Sequence, residues 1–176
     1  MITPDYVRVQ AGHNAEINRC VYAAAGRPSN AERRIDRGTF FNSIHGTLNH
    51  LLWSDHQWMS RFGGWDKPLV VERGGTEWFP DLSELAQARV AADIHLSEWA
   101  ARIDQDWLDH DQDWLDHDQV WYSGISKRDM SRPRTMLVLH LFNHEIHHRG
   151  QIHAMLTAAG EDTNIWLILR QEKLAS

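Results

Sequence analysis

On an ideal helix, Leu137, Leu141, His144, His148, Ile152 and Met155 fall on one stripe, at spacings of four, three, four, four and three. That stripe constrains the fold more than any other feature: it predicts a long helix with an apolar face and puts two histidines on that face. A buried imidazole must find a hydrogen-bond partner or a metal, because desolvating an unpaired polar group costs about 1–3 kcal/mol. The i, i+4 spacing of His144 and His148 brings the two rings together one turn apart, where a single cation satisfies both. His140 and His147 lie toward one flank of the stripe, and His153 lies nearly opposite it.

The rest of the chain follows the same period. Residues 5–25 carry Val7, Ile17, Val21, Tyr22 and a run of alanines before the breaker "GRPSN". Over residues 39–62, Phe41, Ile44, Leu48, Leu51, Asp55, Trp58 and Phe62 recur three and four apart, ending at Gly63 and Gly64. The stretch "GGWDKPLVVERGGTEWFP" is rich in glycine and proline and predicts a long loop covering one end of the domain. Asp81 or Ser83 then caps a third helix running from residue 82 past Trp99. The last helix is expected from "SRP" at Ser131, with a capping serine and a first-turn proline, to Gly160. No segment alternates like a strand, so residues 1–176 predict a single all-α domain, a four-helix bundle with a long loop between helices two and three and an extended segment before helix four.

That segment holds "DQDWLDHDQDWLDHDQVW", two perfect copies of the heptad "DQDWLDH" and a degenerate third. Its aspartates and histidines match no known metal-loop spacing, and a small duplication that lengthens helix three by about two turns accounts for it. The repeated tryptophans would then offer a contact surface.

Composition removes several function classes. The net charge of -6 comes with no basic cluster longer than "ERRIDR", which argues against a nucleic-acid partner. Cys20 is the single cysteine, so no intrachain disulfide forms and a reducing cytoplasm is the expected location. No window has the roughly 18 uninterrupted apolar residues of a membrane span, and the polar start lacks a signal core.

A third ligand for His144 and His148 has to come from another helix, and the second offers His45, His50 and His56. The helical wheel, centred near Asp55 and Leu48, places His45 closer to the core than His50. Asp55 sits on the apolar stripe itself, where a carboxylate needs a partner: it either orients a ligand histidine or pairs with an arginine such as Arg149. His144, Glu145 and His148 also match H-E-x-x-H, in which two histidines bind zinc and the glutamate is general base, so a metal-dependent peptidase or other hydrolase is an alternative.

"SIHGTLNHLLWSDHQWMSRF", followed far downstream by "LHLFNHEIHHRGQIHAMLTAAG", resembles the DinB/YfiT-like metal-binding proteins over most of the chain, including the "DRGTFF" approach to the second helix. The resemblance implies a four-helix bundle, often a homodimer, with one divalent metal held by three histidines. The family's first ligand falls in an L-x-H segment, here Leu48, Asn49 and His50, and its other two on His144 and His148, which favours His50 over His45. It also makes the Glu145 match look incidental, because the family's second motif usually has another residue there. Relatives include thiol transferases that use bacillithiol and a mycothiol-dependent maleylpyruvate isomerase. The implied activity is transfer of a small thiol onto a small-molecule substrate, with zinc or nickel as the metal; a non-catalytic metal-binding protein is a further alternative. The doubled heptad is the departure from the family pattern.

Overall fold

The structure is a computed structural model that describes residues 2–69, 72–103, 117–123 and 126–165. Every helix but the last starts where a side chain supplies the acceptor that the first-turn amides lack. In α1 (Pro4–Ala25) the Thr3 hydroxyl accepts from Tyr6 N, and a proline fills the first position. The "GRPSN" stretch is not only a breaker: Ser29 and Glu32 form a reciprocal capping box that closes one further turn, α2 (Asn30–Arg33). The next helix, α3 (Ile44–Phe62), starts later than its apolar period suggests. Gly38 and Asn42 adopt left-handed backbone at φ 70° and 65°, Thr39 bridges to Asn42, and only Ser43 caps, its hydroxyl accepting from Gly46 N at 3.0 Å.

Of the two candidate caps for α4 (Leu82–Arg102), Asp81 is the one used, accepting from Ser83 N at 2.7 Å and Glu84 N at 3.1 Å. Ile103 is extended, so α4 does not run on into the heptad repeat; residues 104–116 of that repeat lie outside the described residues.

The expectation of a purely helical chain is corrected after the repeat. Strands β1 (Asp118–Ser123) and β2 (Arg128–Pro133) pair antiparallel, with Trp121 opposite Met130. Val120, Trp121 and Tyr122 are strong strand formers, and Val120 and Tyr122 face out while Trp121 is half-buried. Ser131 is therefore a strand residue, its hydroxyl donating to Asp118 Oδ2 at 2.6 Å. The last helix, α5 (Arg134–Ala158), begins after Pro133 with no side-chain cap and ends short of Gly160, which is left-handed at φ 84°.

In packing, α1 lies against α4 and α5, and α3 against the same two helices. Their buried faces form two apolar clusters, one around Val7, Met59, Leu96, Trp99 and Phe142, the other around Val21, Leu48, Leu52, Leu85 and Ile152. Along every long helix a polar pair or single charge falls between the two clusters: Asn14 and Asn18, Asp55, Arg89 and Asp93, Glu145 and Arg149. Arg89 holds the layer together, Nη1 standing 2.6 Å from Asp55 Oδ2 and Nη2 2.8 Å from Asp93 Oδ1. Arg149 pairs with Glu145 at 3.2 Å and donates to Asn14 Oδ1, while Asn18 Nδ2 donates to Asp93 at 3.0 Å.

Asp55 thus takes Arg89, not Arg149, as its partner, and no ligand histidine bonds to it among the described residues. Removing one member of a buried ion pair strands the others without water, at about 3–5 kcal/mol. Arg89→Met leaves both Asp55 and Asp93 uncompensated and is expected to lower unfolding free energy by about that much, whereas Asp81→Ala at the α4 cap costs about 1 kcal/mol. Urea titrations of the two variants check the ordering.

Candidate metal centre

The contact between α3 and α5 brings His50 opposite His144 and His148. One ring nitrogen from each lies within 4.8 Å of the others, and ring centres are 4.4 Å apart for His144–His148 and 5.0 Å for each pair with His50. His50 Nε2 stands 3.1 Å from His144 Nε2. Two nitrogens bound to one tetrahedral zinc at 2.0–2.1 Å stand about 3.3 Å apart, so this separation is already close to that of a ligand pair.

Second contacts fix which nitrogen each ring presents. His50 Nδ1 donates to the Gly74 carbonyl at 2.8 Å, so its Nε2 carries the lone pair. Gln151 gives the same result for His148: its amide nitrogen faces His147 Nε2 at 3.2 Å, which leaves Oε1 to accept from His148 Nδ1 at 2.7 Å. Phe41 stacks on His50 with centres 3.6 Å apart and leans on His148 at 5.2 Å.

Gly74 and Gly75 are the positions where the long loop closes over the site. Both are left-handed, at φ 66° and 75°; a Cβ on Gly74 would lie 3.0 Å from His50 Nδ1, and one on Gly75 2.3 Å from the Trp53 ring. The "ERGG" sequence marks the turn but not its target 24 residues upstream, and neither Phe41 nor Gln151 is visible as a site residue without the fold.

The other candidates go elsewhere. His45 is fully buried, and its Nε2 bonds the Phe79 carbonyl at 2.9 Å, beside Asn49, which holds both the carbonyl and the amide of Phe79. His45 thus anchors the loop, while His50 joins the pair. His56 packs between Trp65 and Trp78. Glu145, 1% exposed, belongs to the polar layer, where burial and the neighbouring Asp55 charge raise its pKa well above the usual carboxylate range. Glu145 Oε1 and Asp55 Oδ1 lack a donor among the described residues, and a proton kept on Glu145 and shared with Asp55 satisfies both.

Burial lowers the His50 pKa to about 4, against the opposing pull of the Gly74 bond, and lowers His144 to about 2, with the neighbouring histidines adding to the effect. Burial lowers His148 as well. The rings stay neutral in the fold at pH values where the unfolded chain, titrating near 6.5, takes up protons. The contribution of these rings to the stability of the metal-free protein is then fully present above about pH 6.5 and is lost as the pH drops toward 4. Thermal melts from pH 7.5 to 4.5 should show this decline, and His50→Gln should flatten it. Gly74→Ala strains the left-handed backbone and crowds His50, so metal affinity is expected to fall at least about tenfold, as for other losses of an outer support, measured by competition with a chromophoric chelator.

A cavity of about 1000 Å³ opens beside His50 and His144, walled by Phe41, Trp53, Trp58 and Trp121. No curated protein and no solved structure is significantly similar to the chain. The sequence profile of the DinB family matches residues 4–175, nearly the whole length. With a three-histidine cluster at the α3–α5 contact and a match of that extent, the chain belongs to the DinB family.

Proposed function

We propose that His50, His144 and His148 hold one divalent metal, zinc or nickel, within a four-helix bundle, and that the protein is a transferase that activates a small thiol. The observation that carries this reading is the convergence of three imidazole nitrogens beside a cavity that His50 and His144 line, with His50 and His148 tied back through Nδ1. Held by three neutral imidazoles, the ion keeps its full charge and supplies Lewis acidity that lowers the pKa of a thiol in the cavity. The chain's own residues do the positioning. The Gly74 carbonyl and Gln151 amide fix two rings, Phe41 covers His50, and Trp53, Trp58 and Trp121 supply apolar walls beside them.

The peptidase alternative turns on Glu145. A general base has to reach the water it deprotonates, but Glu145 is committed to Arg149 and the buried layer, which favours the transferase. Glu145→Gln retains a donor where the proton sits and should leave folding and metal content close to wild type. His148→Ala is expected to lose most of the roughly one metal per chain found by elemental analysis. In an assay of low-molecular-weight thiols with an electrophile, conjugation should vanish in His144→Ala and persist in Glu145→Gln. Cleavage of casein-like peptides that both variants abolish would establish the hydrolase instead.

A further inference from the structure

The face of α3 that carries His50 continues past it. Ser54, Gln57 and Arg61 follow at spacings of four, three and four, and eleven residues at about 100° each return Arg61 to nearly the same face as His50. All four border the cavity. Gln57 is 8% exposed, and its Nε2 has no acceptor among the described residues. Arg61 stands at the far end, its guanidinium 5.2 Å from the centre of the Trp58 ring and 6.0 Å from that of Trp121, with the two indoles meeting edge to face at 5.7 Å. Its Nη1 donates to the Gln57 carbonyl, and no carboxylate pairs with it among the described residues. Arg34, also on the cavity rim, is by contrast neutralised by Glu77 at 2.8 Å.

We propose that this end of the cavity is a carboxylate subsite, in which Arg61, held between Trp58 and Trp121, and the Gln57 amide receive the carboxylate of a small substrate whose planar apolar body lies along the aromatic wall toward His144. A guanidinium offers a planar fork of donors matched to a carboxylate, and the flanking indoles remove the water that would compete. The path onward is continuous: Trp58 is 5.4 Å from His140, and His140 is 5.5 Å from His144, ring centre to ring centre. From His50 to Arg61 the helix rises about 16 Å, and the Arg61 guanidinium reaches back one turn to the Gln57 carbonyl, so the span left for a ligand is on the order of 10 Å. The proposal deepens the transferase reading by naming the class of molecule the cavity takes, yet the carboxylate contacts themselves need no metal.

Titration calorimetry on the full chain with 4-phenylbutyrate and its uncharged amide, 4-phenylbutyramide, separates the two ideas. The acid is expected to bind about tenfold tighter than the amide, in line with one charge-assisted hydrogen-bonded pair. Arg61→Gln should erase that preference while metal content stays unchanged, and Arg61→Lys, which keeps charge and stem, should reduce it to a few-fold. His50→Ala, expected to lose the metal, should keep the preference. A preference that survives both Arg61 variants, or one that disappears in His50→Ala because the metal reads the carboxylate, overturns the subsite, as does the absence of saturable binding in wild type. A wild-type protein that prefers the acid but contains no metal would leave the subsite standing and remove the metal reading.

Discussion

The ion pairs of Arg89 with Asp55 and Asp93 fix the arrangement on which everything else rests. Apolar faces alone leave helices free to rotate or slide by a fraction of a turn at little cost, whereas a buried charge has to meet its partner within hydrogen-bond distance. Here each long helix contributes at least one member to the layer between the two apolar clusters, so the rotation of all four is set together. Burial and the Asp55 charge hold the Glu145 pKa well above the usual carboxylate range, and a proton retained there leaves Arg89 and Arg149 less negative charge to balance, which a low-dielectric interior tolerates better.

The same layer aims the histidines. Consecutive residues on a helix point about 100° apart, and on α5 each ligand candidate is followed by a layer residue: Glu145 follows His144, and Arg149 follows His148. Two i, i+4 pairs are therefore interleaved, an ion pair directed at the layer and an imidazole pair directed at His50. The H-E-x-x-H match arises from this interleaving. Glu145 is needed where it is as the partner of Arg149 and Asp55, and its position beside a histidine follows from helix geometry.

How much of this was legible beforehand depended on whether the signal was local. The α5 stripe and the His144–His148 pair are properties of one helix, and both hold: Leu137, Leu141, Ile152 and Met155 are buried, and the two rings are in contact. The choice between His45 and His50 was not local. A helical wheel divides α3 into core and solvent, but the side bearing His50 is covered by the loop at Gly74, and the side bearing His45 by Phe79. Both are buried for reasons that lie 24 and 34 residues downstream. The β1–β2 hairpin was hidden for a different reason. "DQVW" reads as a degenerate third heptad, and its kinship to the repeat obscured the strand formers Val120, Trp121 and Tyr122.

Neutral, buried imidazoles in a group of three pose a hydrogen-bonding problem that two of them can only partly solve. With Nδ1 of His50 committed to Gly74, its Nε2 can only accept, and a proton on His144 Nε2 answers it across 3.1 Å. That bond uses His144 as the donor and leaves His148 Nε2, whose Nδ1 is committed to Gln151, outside it. A single cation accepts lone pairs from all three at once, and it asks only that the rings be unprotonated, the state burial already enforces. The loop that orients His50 also removes it from water, so the contact that selects the nitrogen and the burial that keeps it neutral have one structural origin.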